Sequence, residues 1–184
     1  MKDMKRLVLL FSIAVFIAGC SSVPVTGRRQ LSLVSDQEVL SLSLSQYNDY
    51  MKDASKSTDK VNTALVVKVG QNIANAVKLY FHAVGGESPI SDNSWEFNLV
   101  KDPAVNAFCM PGGKIVVFEG ILPYTQNETG LAVVLGHEVA HAIAKHSNER
   151  MSQQLVSQYG AVAVSEVLGG SSTYPCFYCY SISS

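Results

Sequence analysis

The chain has 184 residues, a one-domain length with room for a sizeable core but not for two comfortable domains. Its formal net charge is −1, from 14 basic and 15 acidic residues, and it carries no long basic stripe, so no nucleic-acid partner is expected. The apolar fraction of 47% is ordinary for a globular protein once a targeting segment is set aside.

That segment is the amino terminus, MKDMKRLVLLFSIAVFIAGC. Lys2, Lys5 and Arg6 precede an apolar run from Leu7 to Ile17, which is too short to span a bilayer. It ends in Ile17-Ala18-Gly19-Cys20, a pattern similar to a bacterial lipobox. Residues 1–19 are therefore expected to be a signal peptide and Cys20 the lipidated first residue of the exported chain. An uncleaved anchor and an ordinary secretory signal are the alternatives. Export places the domain on the periplasmic side of the envelope, lipid-anchored, and Ser21 resembles an outer-membrane sorting signal. In that oxidising compartment Cys109, Cys176 and Cys179 remain, and an odd number leaves at least one thiol unpaired.

Residues 20–34 read as a tether with one turn, in which Arg28 and Arg29 either meet anionic headgroups or form a solvated turn. Ser35 and Glu38 form a capping box that opens a helix, with Val39, Leu42, Leu44 and Tyr47 at imperfect helical spacing. A second helix is expected from Asp59 to Phe81, with a stripe of Val61, Leu65, Val66, Val69, Ile73, Ala76, Val77 and Tyr80. His82, just past it, is expected to take no part in chemistry. The period then changes: residues 95–100, 105–110 and 114–118 read as three strands, broken by Asp102-Pro103 and by the Pro111-Gly112-Gly113 turn. Strands joined so briefly are expected to pair as an antiparallel sheet. Thr125 and Glu128 form a second capping box, opening a helix that is signalled independently of what it carries. The domain is expected to run from 35 to 168. The 169–184 tail, uncharged and crowded with aromatics, reads as an atypical end to an incomplete domain.

The helix after Glu128 contains His137-Glu138-x-x-His141. Positions four apart lie on one helix face, about 6 Å apart along the axis, so two imidazoles there can converge on one zinc ion. Glu138 is placed to act as the general base on a water activated by that ion. The bland reading, two histidines satisfied in a core, must also explain a glutamate buried beside them, which is costly unpaired. His146, five residues past His141, would be rotated by about 140° on a continuing helix and so excluded from the site. A catalytic zinc site needs a third protein ligand. Glu149 would reach it only if the chain turned sharply. Glu166, on a following helical stretch that folds back, and the Cys176-x-x-Cys179 pair as thiolate donors are the other candidates, and none is singled out by spacing. Glu166 is the weak first candidate and the cysteines rank below it; Glu166 facing solvent and the cysteines forming a disulfide, or nothing, are the bland alternatives.

Three stretches in order, PVTGRRQL (24–31), NAFCMPGGKIVVFEGIL (106–122) and ETGLAVVLGHEVAHAIAKH (128–146), resemble metallopeptidase family forty-eight, in its bacterial lipoprotein branch. The resemblance spans Val23 to about Leu168. It implies an α+β, zincin-like peptidase domain, mostly helical, with a small antiparallel sheet whose edge strand lines the active site. It implies His137 and His141 as ligands of one zinc ion and Glu138 as the base. Asn106, Ala107 and Phe108 would lie along the cleft and bind extended substrate by strand addition. The family's third ligand is a glutamate in a Glu-Ala-Asp type motif, and no such motif follows His141 in this chain. Two functions are expected from these features: a membrane-tethered zinc endopeptidase acting on envelope proteins, or the same scaffold without catalysis, holding unfolded polypeptide as a chaperone-like module.

Overall fold

The computed structural model describes residues 20–23, 25 and 27–168, and for 20, 21 and 160–168 the backbone only. The expected signal peptide, the 169–184 tail and with it Cys176 and Cys179 lie outside the described residues.

The stretch expected to be a tether is instead a two-stranded antiparallel ribbon. Strand β1 (Cys20–Ser22) pairs with β2 (Arg29–Leu31), with Cys20 opposite Leu31 and Ser22 opposite Arg29. Three-residue strands are too short to show alternation, which is why the sequence carries no sign of them. Helix α1 (Asp36–Asp53) begins as expected, with the Ser35 hydroxyl accepting from the Glu38 amide at 3.2 Å. Its inward stripe differs: Val39, Ser43 and Tyr47 are buried, while Leu42 is exposed. These three follow the four-residue spacing of one helix face, whereas Leu42 and Leu44 fall either side of it.

Helix α2 (Lys60–Ala83) is capped by Asp59, whose carboxylate accepts from the amides of Val61 and Asn62. Val66, Val69 and Gly70 face inward, and Val61, expected on the stripe, is exposed in the first turn. A Cβ at Gly70 would stand 2.2 Å from a ring carbon of Phe97, so glycine is what lets this helix seat closely on the sheet.

The sheet is mixed rather than wholly antiparallel. Its order is β3 (Glu96–Val100), β5 (Lys114–Phe118), β4 (Ala107–Met110); β4 pairs antiparallel and β3 parallel with β5. The reason lies in the turns. Gly112 and Gly113, both at positive φ, fold a tight hairpin that zips β4 onto β5. Asp102 turns the chain sharply after β3, accepting from the Ala104 amide at 2.8 Å, and β3 is left to pair with the far edge of β5. Central strand β5 is buried at all five positions. Ile115 and Val117 face a core formed with Val66, Val69, Leu131, Leu135 and Val139, while Val116 and Phe118 face Tyr47, Val100 and Met110. Helix α1 thus covers one face of the sheet, and α2 and α4 the other.

A short helical turn, α3 (Leu122–Thr125), leads into α4 (Glu128–Ile143). The cap of α4 is Asn127, accepting from the Gly130 amide at 2.9 Å, not Thr125, whose hydroxyl donates to the Leu122 carbonyl within α3. Helix α5 (His146–Leu168) follows after two residues. No helix among the described residues is long and apolar enough to cross a membrane.

A polar network ties α1 to the sheet. The Tyr47 hydroxyl donates to Glu96 at 2.8 Å and accepts from Asn98 at 2.7 Å, and Lys114, largely buried, donates to the Ser94 carbonyl and to Glu96. The Lys114 ammonium holds the Glu96 carboxyl below its ordinary value, outweighing desolvation. A depressed carboxylate contributes stability that is complete above its unfolded pKa and lost as pH falls through the folded one. Glu96→Gln is therefore expected to be less stable than the parent at neutral pH, and to lose less stability between about pH 5 and pH 3. Urea midpoints across that range check both halves.

Candidate metal centre and cleft

Helix α4 is pinned through Leu131, Leu135 and Val139, three residues at four-residue spacing that are essentially without solvent contact. Burying that ridge presents His137 and His141 together on the neighbouring face. Their Nε2 atoms point at each other, 2.9 Å apart, with ring planes at 84°. Two imine nitrogens this close cannot both offer lone pairs unless a proton or a cation lies between them. A tetrahedral zinc with bonds of roughly 2.0–2.1 Å would hold them about 3.3 Å apart, within a few tenths of an ångström of the spacing found. The spacing suits a proton shared between the two rings, or two of the three protein ligands of a small divalent cation. Among the described residues no group of three or more His, Cys, Asp or Glu is arranged to hold a metal ion.

Glu138 and His141 border a cleft of about 250 Å³ whose opposite wall is Asn106, Ala107, Phe108 and Cys109. Strand β4 pairs only with β5 in its sheet, so its outer edge is the one that faces outward. The residues expected at the site are thus brought together: the histidine pair and Glu138 on α4, and Asn106 to Phe108 across from them. Cys109 is the neighbour that marks the distance. Burial, with the Glu138 carboxylate nearby, pushes its thiol up to about 12. It stays protonated at neutral pH and is no nucleophile. On the other side, His137 and His141 also border an apolar groove of about 700 Å³ walled by Ile73, Val77 and Phe81 of α2.

His146 is where the structure corrects the sequence reading. The helix does not run on unbroken to His146. It ends at Ile143, Lys145 takes a left-handed φ of 55°, and α5 starts afresh at His146. The swing brings the His146 ring beside His141, Nδ1 to Nδ1 at 2.5 Å. Burial and the neighbouring His141 hold its imidazole below the usual histidine range. A left-handed lysine carries strain of about 1–3 kcal/mol and persists only where its surroundings over-determine it. They do so here: Lys145 pairs with Asp36, and Asn148 donates to the same carboxylate at 2.8 Å. From the ribbon, Gln30 reaches the Lys145 carbonyl at 3.5 Å. No glycine or proline marks the break; Ser147 and Asn148, cap-type residues just inside α5, are the only local hint.

Glu149 is clasped by the Arg28 guanidinium through both carboxylate oxygens, which holds its carboxyl below the usual range. Arg28, about half exposed, is thus anchored to α5 of the protein itself. Glu166 lies in the same uninterrupted helix as His146, twenty residues on and about 30 Å along its axis, and its side chain is outside the described residues.

A small mixed sheet flanked by helices, with Glu138 and His141 facing an edge strand and His137 meeting His141 beside them, defines an α+β zincin-like peptidase domain. Residues 71–175 match peptidase family M48, and the chain belongs to that family. It is 39% identical over 137 residues to the mitochondrial metalloendopeptidase OMA1 of Schizosaccharomyces pombe, covering 71% of this chain and 36% of that one. Its likeness to the Arabidopsis thaliana mitochondrial metalloendopeptidase OMA1 is 50% over 62 residues, 34% of this chain and 13% of that one. With the beta-barrel assembly-enhancing protease of Yersinia pestis it shares 34% identity over 79 residues, 41% of this chain and 16% of that one. The chain spans less than half the length of these relatives.

Proposed function

We propose that the chain is a zinc-dependent metalloendopeptidase domain, tethered through a lipid on Cys20 to the periplasmic face of a bacterial membrane, the outer one by the sorting signal that Ser21 resembles, and acting on envelope proteins. The observation that carries this reading is the convergence of the His137 and His141 Nε2 atoms beside a cleft shared by Glu138 and an open strand edge. Bound zinc supplies a Lewis acid that polarises a peptide carbonyl and acidifies water. His137 and His141 hold it with neutral imidazole nitrogens. Glu138 accepts the proton of the attacking water and delivers it to the leaving amine. An extended substrate adds to the outer edge of β4 along Asn106, Ala107 and Phe108, with main-chain hydrogen bonds fixing the scissile bond against α4. The metalloendopeptidase relatives support proteolysis. The Yersinia pestis relative is by its name a protease that enhances β-barrel assembly, which supports a role in that process.

The test is degradation of unfolded casein by the purified chain. Cleavage that stops with a chelator and returns with added zinc is the expected result. Casein kept soluble but uncut, whether or not chelator is present, would replace this reading with the chaperone-like polypeptide-binding module.

A further inference from the structure

We propose that His146 is the positioning residue of the metal centre: it accepts the Nδ1 hydrogen of His141 and so keeps the His141 Nε2 lone pair directed at His137. The inference rests on the reading that His137 and His141 hold a metal ion. A neutral imidazole carries one ring hydrogen, and the partner of one nitrogen decides what the other can do. His141 has a partner at each nitrogen: Nδ1 meets His146 Nδ1 at 2.5 Å, and Nε2 meets His137 Nε2 at 2.9 Å. Only one assignment leaves Nε2 bare for a cation. In it the ring hydrogen sits on Nδ1 and is donated to His146, which must then carry its own hydrogen on Nε2.

Metal-ligating histidines ordinarily donate their second ring hydrogen to a carboxylate, a carbonyl or water, and this outer contact sets both tautomer and ring orientation. Here a third imidazole fills that place. Its ring centre lies 4.7 Å from that of His141, with the planes at 61°, so the contact is edge-on rather than stacked. The break between α4 and α5 exists in the right place for this. On an unbroken helix His146 would be turned about 140° away. The left-handed Lys145, held by Asp36 and Gln30, delivers it instead. Glu149, one turn further on, is fastened to the ribbon through Arg28, so the first turn of α5 is held from outside as well.

Two variants separate this role from bulk packing. His146→Leu keeps much of the volume without an acceptor, and His146→Asn places an amide oxygen where Nδ1 stood. Imidazole nitrogen NMR of the metal-free full chain at neutral pH reads the tautomer directly. His141 is expected to be protonated at Nδ1 in the parent and in His146→Asn, and to shift toward Nε2 in His146→Leu. Zinc affinity by chelator competition is expected to fall about 10–100-fold in His146→Leu and to return to within a few-fold in His146→Asn. A parent His141 protonated at Nε2 overturns the proposal, and this needs no variant to fold. So does a tautomer or an affinity indifferent to His146→Leu. If the parent takes up no zinc, the metal reading falls, and the tautomer alone decides whether His146 orients His141.

Discussion

Glu138→Gln is expected to lower the turnover of a peptide substrate by about 10²–10⁴-fold while leaving the zinc content per chain unchanged. Glutamine has nearly the same volume and reach as glutamate, but its amide has no appreciable basicity and cannot take a proton from water. Glu138 is half-buried on α4, one residue from His137, and shares the cleft with His141 and the Asn106 to Phe108 wall. The two Nε2 atoms are partnered with each other at 2.9 Å, so removing the charge of Glu138 leaves the donor pair in place. The loss should therefore fall on kcat with little change in KM, as expected of a group that acts in the transition state. Metal analysis and steady-state kinetics on the same preparation check it. Undiminished cleavage would move the base to another residue, and loss of metal would make Glu138 structural.

The second large effect is on stability. Leu135→Ala is expected to cost about 2–5 kcal/mol, the usual range for emptying a buried leucine site. Leu135 has no solvent exposure and packs in one cluster with Val66 and Val69 of α2 and Ile115 and Val117 of β5. Against a total stability of about 5–15 kcal/mol, this is a large fraction. Because Leu135 lies between the capped start of α4 and the histidine pair, the same cavity should loosen the register of His137 and His141 on the sheet. Val133→Ala on the same helix is the control. At 69% exposed it should shift unfolding by no more than about 0.5 kcal/mol. Urea unfolding of both variants measures the difference. Equal effects would mean that α4 is not seated on the sheet through this ridge.

Much of the scaffold was legible because it is local. The Ser35 cap needs only a hydroxyl three residues before an amide, and the His137/His141 face needs only the pitch of a helix. Strand β5 is legible because the apolar run Ile115 to Phe118, after the glycine turn, fits a strand covered on both faces. Leu42 of α1 lies exposed despite its helical spacing, since period alone does not say which side of a helix the sheet will meet. The cap of α4 falls two residues after Thr125 because Thr125 and Asn127 offer equivalent chemistry and only the fold of α3 separates them.

What the sequence by itself determined is the chemistry on the face of α4: two imidazoles and a carboxylate at a spacing that any helix brings together. What only the tertiary structure decided is how that face is completed. The order of the sheet, which leaves β4 as the edge beside Glu138, depends on β3 meeting β5 instead of its chain neighbour β4. The arrival of His146 beside His141 depends on a helix break secured by Asp36 on Lys145, 109 residues apart, and by Arg28 on Glu149, 121 residues apart. Helical periodicity carries no trace of such pairings. Their energy comes from segments that meet only once the chain has folded, and it is enough to hold a lysine left-handed where the local sequence would have continued the helix.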